Sequence, residues 1–427
     1  MEVPVSAVNE MIVTEHWRLR VPTAPRVGRT VCVPTVHPTG DRRVLRCAQA
    51  VLDAGFDVHL IWLGGDPGAF RHHPRLRETR LPEPASLTDR LRAVPKVAAV
   101  ARDVEADLWH IHDYYLLPHA RRWTRRTGRP VLYDVHEYYP EYYSERFAAP
   151  SWMQGLARRL VAGVERRHAV RLGAVNAVSE QLANRFRAFG VPAVATPNYP
   201  SVDAFHHPPR ELTPDLLHRV VHTGNLTTQY GADVLVGLAA ELARIAPGVE
   251  VLAISRFPSD AARQRFAESL ERAGRPANLT MLDPMPAHEV AGLLATCGIG
   301  LSLMQDVGEA PLAVNTKFYE YAIMGLAVVT SNLPAARHFV QTSSVGRCVP
   351  AHRPDLFARA IVDLIADAGP TCEAVNRAAG RARRELSWER TCAPRLQSLV
   401  RQLASGPEGE RGAGPAVSPV APGGDGR

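Results

Sequence analysis

The sequence predicts an α/β protein with two Rossmann-like domains, each built on a doubly wound parallel sheet and facing the other across a cleft. Short runs of β-branched residues alternate with longer amphipathic segments, which is typical of parallel strands joined by helical crossovers. The alternation stops at residues 197–215, which contain five prolines, and then resumes. A chain of 427 residues is too long for one hydrophobic core and suits about two domains.

The first series defines an N-terminal domain with predicted bounds 1–203 and a core that starts near residue 28. Its strands are expected at 30–35, 56–62, 107–112, 130–135 and 173–179. Helices are expected at 42–54, 87–103, from 116 onward and at 151–171. Continuously apolar strands of this kind indicate a sheet that is covered on both faces.

The proline-rich stretch cannot continue a helix or a sheet, so we predict a linker at 204–215 and a C-terminal domain at 216–385. The strands of this domain are expected at 219–224, 249–255, 278–282, 298–303, 326–331 and 345–350, with a helix near 232–245. Because ligands of such folds bind at the carboxyl ends of the strands, the cleft between the domains is the expected site.

The end of the chain is expected to form one more helix and a tail. Apolar residues recur at helical spacing over 386–403, so a helix is predicted there, packed back toward the N-terminal domain. Residues 404–427 are rich in Gly, Pro, Ser and charged residues and are predicted to be disordered.

Composition excludes several classes of protein. The 50 basic residues include only two lysines, Lys96 and Lys317, and are spread along the chain rather than gathered in one stripe. No zinc-finger or RNA-binding motif accompanies the net charge of +7, so no nucleic-acid partner is expected, whereas anionic small molecules and membrane surfaces remain open. No run approaches the roughly 20 apolar residues that cross a bilayer, no secretion leader is evident, and the six cysteines form no C-x-x-C pair. We expect a cytoplasmic protein, with peripheral contact at the inner face of the membrane left open.

Four segments resemble family 4 glycosyltransferases. They are GDRRVLRCAQAVLDAGFDVHLI (40–61), DLWHIHDYYLLP (107–118), LYDVHEYYPE (132–141) and NTKFYEYAIMGLAVVTS (315–331). The resemblance extends from about residue 28 to 403 and implies the two-domain GT-B fold. It also implies transfer of a sugar from a nucleotide-diphosphate sugar with retention of anomeric configuration, with the donor as substrate and no other cofactor.

The segment before Gly325 carries the main candidates for donor binding. A carboxylate on a helix that faces the cleft can accept both ribose hydroxyls of a nucleotide, and the resemblance assigns this role to Glu320; the alternative is a solvated helix glutamate. Lys317 lies three residues earlier, on nearly the same helix face. A compact ammonium there suits the charge of the leaving diphosphate, whereas the alternative is a surface lysine without a role. Arg256 and the backbone N–H groups that follow Gly224 are further diphosphate candidates.

The sequence departs from the family pattern at three positions. Leu312 stands where many relatives carry a glutamate that contacts the donor, and Glu309 is the candidate substitute. Asn225 and Tyr230 stand where many relatives carry basic residues that contact the diphosphate, although Asn225 remains at the predicted donor edge. Lys317 is therefore expected to bear more of the diphosphate charge than in a typical relative.

Two strand ends of the N-terminal domain supply the acceptor-side candidates. The resemblance places His136 beside the donor sugar, where an imidazole can hydrogen-bond a sugar hydroxyl or the incoming acceptor; the alternative is a structural histidine. The other candidates at these strand ends are His110, His112, Asp113, Glu137 and Tyr138. A metal site is not expected, because no third convergent ligand is evident and no D-x-D motif exists in the chain to hold a metal diphosphate.

Two further features leave alternatives open. Tyrosines follow both strand ends, where they either stack on sugar rings or pack on one another. They are Tyr114, Tyr115, Tyr138, Tyr139, Tyr142 and Tyr143. The helix from Ser151 has apolar residues at every fourth position among arginines. Such a helix lies on anionic lipid or, as is more common, packs its apolar row on the core and solvates its basic face.

The function expected from these observations is a retaining, metal-independent glycosyltransferase that acts on a sugar, lipid-linked or small-molecule acceptor. One alternative is a nucleotide-sugar epimerase of the same fold, which would convert the donor without an acceptor. Another is a catalytically inactive partner of a second transferase, because Leu312, Asn225 and Tyr230 occupy usual contact positions. Catalytic roles are predicted for His136, Lys317 and Glu320.

Overall fold

The computed structural model describes residues 19–38, 41–65, 73–146, 151–201, 210–308 and 310–405. Within these ranges the chain forms two α/β domains, each with an all-parallel sheet, as the sequence predicts. The first sheet has seven strands and the second has six. No helix in the described part of the chain is both long enough and apolar enough to cross a bilayer.

The N-terminal sheet has the strand order β3-β2-β1-β4-β5-β6-β7. Its strands are β1 Thr30–Pro38, β2 Asp57–Leu63, β3 Leu76–Leu81, β4 Leu108–Ile111, β5 Val131–Val135, β6 Ala174–Ala177 and β7 Ala193–Ala195. Its helices are α1 Arg42–Asp53, α2 Leu87–Asp103, α3 Leu117–Thr127, α4 Tyr139–Arg146, α5 Ser151–Ala169 and α6 Glu180–Arg187. The order reverses between β1 and β4, so the topological switch point lies at the carboxyl ends of these two strands.

The C-terminal sheet has the order β10-β9-β8-β11-β12-β13, with its switch point between β8 and β11. Its strands are β8 Arg219–Asn225, β9 Glu250–Arg256, β10 Leu279–Leu282, β11 Ile299–Ser302, β12 Ala327–Ser331 and β13 Gly346–Val349. Its helices are α7 Ala232–Ile245, α8 Asp260–Arg272, α9 Ala287–Leu294, α10 Thr316–Met324, α11 Pro334–Ser343, α12 Pro354–Ala366 and α13 Ala368–Glu385. A π-helical turn at Trp388–Cys392 then leads into α14, Ala393–Ser405.

Each sheet is buried on both faces, because successive side chains of a strand point to opposite sides. In β1, Val31 and Val33 belong to the core that also contains α1, whereas Cys32 belongs to the core on the opposite face. The sequence missed β3 and β7. Strand β3 has the mostly polar sequence LRETRL at the edge of the sheet, and β7 is only three residues long.

The end of the chain returns to the N-terminal domain. Leu396 and Val400 of α14 share a core with Val44 and Ala48 of α1. The guanidinium of Arg46 lies over the Trp388 ring, 5.4 Å from its centroid. Helix α14 continues to Ser405, two residues into the predicted tail, and residues 406–427 lie outside the described ranges.

The predicted linker is only partly described, since residues 202–209 lie outside the described ranges. Its second half is fastened to the C-terminal domain. The Arg210 guanidinium donates to the backbone carbonyls of Cys297 and Met324, and the Leu212 N–H donates to Asn376 Oδ1 at 2.7 Å. Residues 210–212 therefore belong with the C-terminal domain.

Candidate active site

The carboxyl ends of the two sheets meet at a cleft. Arg42, in the first turn of α1, lies close enough to Glu320 of α10 for each group to shift the pKa of the other. Arg42 also lowers the pKa of Arg256, at the end of β9, although burial of Arg256 contributes more. Groups from β1–α1, β9 and α10 therefore lie around one space between the domains.

Helix α10 is held in place by Tyr321. The Tyr321 hydroxyl accepts a hydrogen bond from the Thr223 N–H at 3.2 Å and donates to the Leu301 carbonyl at 3.2 Å. These bonds fasten the helix to β8 and β11. Gly300 leaves room for the ring, because a Cβ at this position would lie 2.4 Å from the Tyr321 ring. The helix ends at Gly325, whose φ of 69° suits glycine.

This orientation brings Lys317 against the end of β8. Lys317 is 8% exposed, and its Nζ lies 3.5 Å from the position that a Cβ on Gly224 would occupy. Burial lowers the pKa of Lys317 to about 8, although Glu320 opposes the shift. His222, on β8, is fully buried near Lys317. Burial and the Lys317 ammonium hold the pKa of His222 well below its usual range, so its imidazole is neutral.

Glu320 lies among cations from both domains. Its side chain is partly buried, and this burial raises its pKa, while Arg42, Lys317 and Arg46 act in the opposite direction. Sequence reasoning did not assign Arg42 to the site. The signal was present in segment 40–61, whose resemblance to the family covers Asp41 and the arginines that follow it.

The three positions that depart from the family pattern, Asn225, Tyr230 and Leu312, lie in different surroundings. Asn225 pairs in register with Arg256, so both lie at the carboxyl edge of the second sheet. Tyr230 packs against the core of the C-terminal domain, and Leu312 packs against the core of the N-terminal domain. Leu312 thus forms an apolar contact between the domains. Glu309 lies outside the described residues.

The acceptor-side strand ends surround one buried carboxylate, Asp134. It accepts hydrogen bonds from Arg43 Nε at 2.6 Å, Asn176 Nδ2 at 2.6 Å and His110 Nε2 at 3.1 Å. Burial alone would raise the pKa of Asp134, but the Arg43 guanidinium and the neighbouring histidines hold it well below its usual range. His110 and His112 share one side of β4, with ring centroids 4.4 Å apart, as strand alternation predicts. Both are fully buried, and their contact with an acceptor stays a prediction.

His136 lies nearer the cleft. Its Nε2 is 3.0 Å from His112 Nδ1 and 3.4 Å from Asp134 Oδ1. Burial lowers the pKa of His136 despite the Asp134 carboxylate, so the ring is neutral at pH 7. The His37 ring, at the end of β1, lies 4.9 Å from the His136 ring.

His37 was missed from the sequence, because only the sheet topology brings the end of β1 beside β4. Its ring lies 3.0 Å from an Asp41 oxygen and 3.3 Å from an Asp113 oxygen. Burial would lower the pKa of His37, but the carboxylates of Asp113 and Asp41 raise it to about 9. An imidazolium therefore lies beside the neutral imidazole of His136. Asp113 also accepts from the Val36 N–H at 2.8 Å, which fixes the end of β1.

The expectation that no third metal ligand converges here is wrong. Within the described ranges, two groups bring at least three potential ligand atoms within 4.8 Å of one another. They are His37, Asp41 and His136, and Cys47, His110, His112 and Asp134. The sequence missed them because their members come from three separate strand ends and α1. In the second group Asp134 is already engaged by Arg43, and in the first His37 would have to lose its proton to bind a cation.

The tyrosines pack largely on one another. The Tyr139 and Tyr143 rings stack with centroids 5.8 Å apart, and Tyr114 contacts both of them. Tyr138 is buried, and its hydroxyl lies 3.0 Å from Ser179 Oγ at the start of α6. Glu137 remains partly exposed where β5 ends. Of the predicted acceptor-side residues, Glu137 and His136 are the most accessible.

Asp134→Asn is expected to lower the free energy of unfolding by about 3–5 kcal/mol, because it leaves the Arg43 charge buried without its partner. Urea denaturation measures the change. Glu373→Gln is the control, since it removes an exposed pair with Arg377 and should cost no more than about 0.5 kcal/mol. A loss below about 1 kcal/mol in Asp134→Asn would show that the buried pair does not fix the strand ends.

Comparison with known families agrees with this geometry. The profile of the glycosyl transferase 4-like domain matches residues 39–199, and the profile of glycosyl transferases group 1 matches residues 218–367. The chain belongs to the family 4 glycosyltransferases. This membership confirms the resemblance and the enzyme class, and it favours a glycosyltransferase over the epimerase alternative. No curated protein sequence matches the chain.

Several solved structures superimpose on this chain and share its fold. Sucrose-phosphate synthase from Thermosynechococcus elongatus superimposes with a TM-score of 0.70 at 16% identity, covering 88% of this chain and 99% of that one. Anabaena HepE in complex with UDP superimposes with a TM-score of 0.64 at 16% identity, covering 88% of this chain and 99% of that one. An α,α-trehalose-phosphate synthase from Burkholderia vietnamiensis superimposes with a TM-score of 0.61 at 14% identity, covering 90% of this chain and 100% of that one. At these identities the likeness establishes the GT-B fold.

Proposed function

We propose that this glycosyltransferase transfers a sugar from a nucleotide-diphosphate sugar to an acceptor, with retention of anomeric configuration. One observation carries the proposal. The carboxylate of Glu320 and the cations Lys317, Arg42 and Arg256 converge from both domains on the space between the two sheets. A nucleoside diphosphate offers the complementary groups, namely ribose hydroxyls for the carboxylate and two phosphates for the cations.

In this proposal Glu320 accepts hydrogen bonds from the ribose hydroxyls, and Lys317 and Arg256 lie at the diphosphate. Backbone N–H groups that follow Gly224 add neutral donors beside the Lys317 ammonium, whose Nζ lies 3.5 Å from the position of a Cβ on Gly224. Negative charge develops on the leaving diphosphate as the glycosidic bond breaks, and preorganised donors stabilise it. The chain has no D-x-D motif for a metal diphosphate, so the transfer is proposed to be metal-independent.

The acceptor is proposed to enter on the N-terminal side, where His136 offers a neutral imidazole. Its class is a sugar, a lipid-linked sugar or a small molecule with a free hydroxyl. HepE was solved with UDP and with UDP-glucose, which supports a nucleotide-sugar donor for this chain too.

A thermal-shift screen of UDP-, GDP-, TDP- and ADP-sugars tests the donor. The true donor stabilises the folded state by mass action, by about 2.7 kcal/mol at a concentration one hundred times its Kd. NMR of the product then reports the anomeric configuration, and retention is expected. Conversion of the donor without any acceptor would indicate an epimerase, and no binding of any nucleotide sugar by calorimetry would indicate an inactive partner protein.

Glu320→Ala is expected to weaken nucleotide binding roughly ten- to hundredfold while the fold stays intact, because about 1.5–3 kcal/mol of charge-assisted hydrogen bonding is lost. Isothermal titration calorimetry with the donor found in the screen measures this change. Glu268→Ala, an exposed glutamate on α8, is the matched control and should bind as the unmodified protein does. An unchanged dissociation constant for Glu320→Ala would remove Glu320 from the nucleotide site.

A further inference from the structure

Helix α5 presents an apolar row to solvent. Trp152, Leu156, Leu160 and Val164 follow one another at every fourth residue and are 73%, 54%, 61% and 42% exposed. Packing of this row on the core, which is the more common arrangement for such a sequence, is therefore wrong here. Exposed rows of large apolar side chains on a folded protein mark surfaces that contact something else.

The opposite face of α5 explains this orientation. Glu165 is 1% exposed and accepts hydrogen bonds from Arg185 Nη2 at 2.9 Å and from the Tyr133 hydroxyl at 3.2 Å. Ala169 is fully buried one turn later. Rotation of the helix to bury the apolar row would expose Ala169 and break the bonds of Glu165. The row is exposed because this buried carboxylate fixes the other face.

A cluster of unpaired arginines lies beside the end of α5. Burial lowers the pKa of Arg121 on α3, and so do the nearby cations Arg171, Arg167 and Arg125. Burial also lowers the pKa of His168, with Arg121 as the next cause. Among the described residues, none of these four arginines forms an ion pair. Arg121 Nε and His168 Nδ1 are buried and have no hydrogen-bond partner among the residues that the structure describes. Arg171 Nη1 donates to the Arg167 carbonyl at 2.6 Å, a neutral acceptor that leaves both positive charges uncompensated. Cations that repel one another and have no anionic partner among the described residues favour external anions.

We propose that the apolar row of α5 and this arginine cluster form a docking surface for an anionic lipid bilayer. Aliphatic and indole side chains enter the boundary between headgroups and acyl chains, while guanidinium groups bind lipid phosphates. Both components lie on neighbouring elements, because α3 packs on α5. The proposal does not depend on the donor or acceptor of the enzyme.

Co-sedimentation with vesicles tests the proposal with the full-length protein. We expect binding to vesicles of equal parts phosphatidylglycerol and phosphatidylcholine, and little binding to phosphatidylcholine alone. Binding should decrease strongly near 1 M salt, where the Debye length falls to about 3 Å. Failure to bind the anionic vesicles at low salt would overturn the proposal. It would leave the proposed binding of a nucleotide sugar untouched, because that binding is measured by calorimetry with soluble nucleotide sugars.

Two double variants separate the components of this surface. Arg167→Gln/Arg171→Gln should weaken vesicle binding roughly 20- to 30-fold, because the binding free energies of two arginines near an anionic surface add. Leu156→Ser/Leu160→Ser should weaken it at least ~10-fold through lost apolar burial. The control for the arginine variant is Arg265→Gln/Arg359→Gln, which changes two exposed arginines of the C-terminal domain. The control for the leucine variant is Leu91→Ser, which changes an exposed leucine of α2.

All variants should keep the thermal midpoint of the unmodified protein, since every altered side chain is exposed. Unchanged vesicle binding in both surface variants would overturn the proposal. A second result would also overturn it: the unmodified protein is a dimer in analytical ultracentrifugation, does not bind vesicles, and becomes a monomer in Leu156→Ser/Leu160→Ser. The apolar row would then be an interface between copies of the chain.

Discussion

Lys317→Ala is expected to lower turnover at least ~10²-fold, the scale seen when one preorganised donor to a developing anion is removed. Lys317 is buried against Gly224, and the carboxylate of Glu320 on its own helix opposes the lowering of its pKa by burial. The positions at 225 and 230, which are basic in many relatives, are Asn and Tyr here. In the proposed function, Lys317 is therefore expected to bear more of the diphosphate charge than in a typical relative. Steady-state kinetics measure the loss, and Lys96→Ala, the other lysine, exposed on α2, is the control.

The pH dependence of nucleotide binding gives a second readout for Lys317. Its pKa is lowered to about 8 in the unliganded protein, so the ammonium form predominates below pH 8 and is lost above it. Affinity for a nucleoside diphosphate should be constant below this pH and fall by up to tenfold per pH unit above it. Lys317→Arg stays charged, so its affinity should remain flat over the same range.

Lys317→Arg should restore turnover only in part, because the planar guanidinium cannot reproduce a compact charge in the space beside Gly224. EDTA should leave the unmodified enzyme fully active. Loss of activity in EDTA together with near-normal turnover of Lys317→Ala would contradict the metal-independent mechanism.

The sequence predicted the fold because its determinants are local. Apolar runs separated by amphipathic segments specify a parallel sheet, and a spacing of three residues places Lys317 and Glu320 on one helix face. Both therefore lie where the sequence placed them. Strand β3 was missed because LRETRL lies at the edge of the sheet, where burial does not impose an apolar pattern.

The rest of the site depends on which strand ends become neighbours. His37 approaches His136 only because β1 is followed in the sheet by β4 and then by β5, an order that no local pattern encodes. Arg42 reaches Glu320 across the domain boundary for a similar reason. These contacts are long-range consequences of topology and domain packing.

Helix α5 shows a different limit of sequence reasoning. Periodicity identifies an amphipathic helix, but it does not state which face is buried when both faces carry apolar residues. Val161 and Ala169 line the face toward the core, and Leu156 and Leu160 line the other. The orientation is set by Glu165, whose partners Arg185 and Tyr133 come from α6 and β5.

His136→Ala is expected to lower turnover by about 10²-fold, within the usual range for loss of a positioned imidazole, and to change nucleotide affinity less than about threefold. His136 belongs to the domain opposite Glu320 and Lys317, so in the proposed function it contacts only the sugar or the acceptor. Its neutral ring can accept or donate a hydrogen bond, whereas the neighbouring His37, with a pKa of about 9, can only donate at pH 7.

The comparison of kcat with the nucleotide Kd distinguishes this role from a structural one. Removal of His136 also removes a neighbour of His112 and Asp134, so a purely structural histidine would lower the thermal midpoint and weaken every function together. His136→Gln keeps a hydrogen-bonding side chain and should recover part of kcat. His218→Ala, at the amino end of β8 and away from the cleft, is the control. Equal losses in kcat and nucleotide affinity would place His136 outside the reacting groups, because only an interaction made in the transition state lowers turnover without weakening ground-state binding.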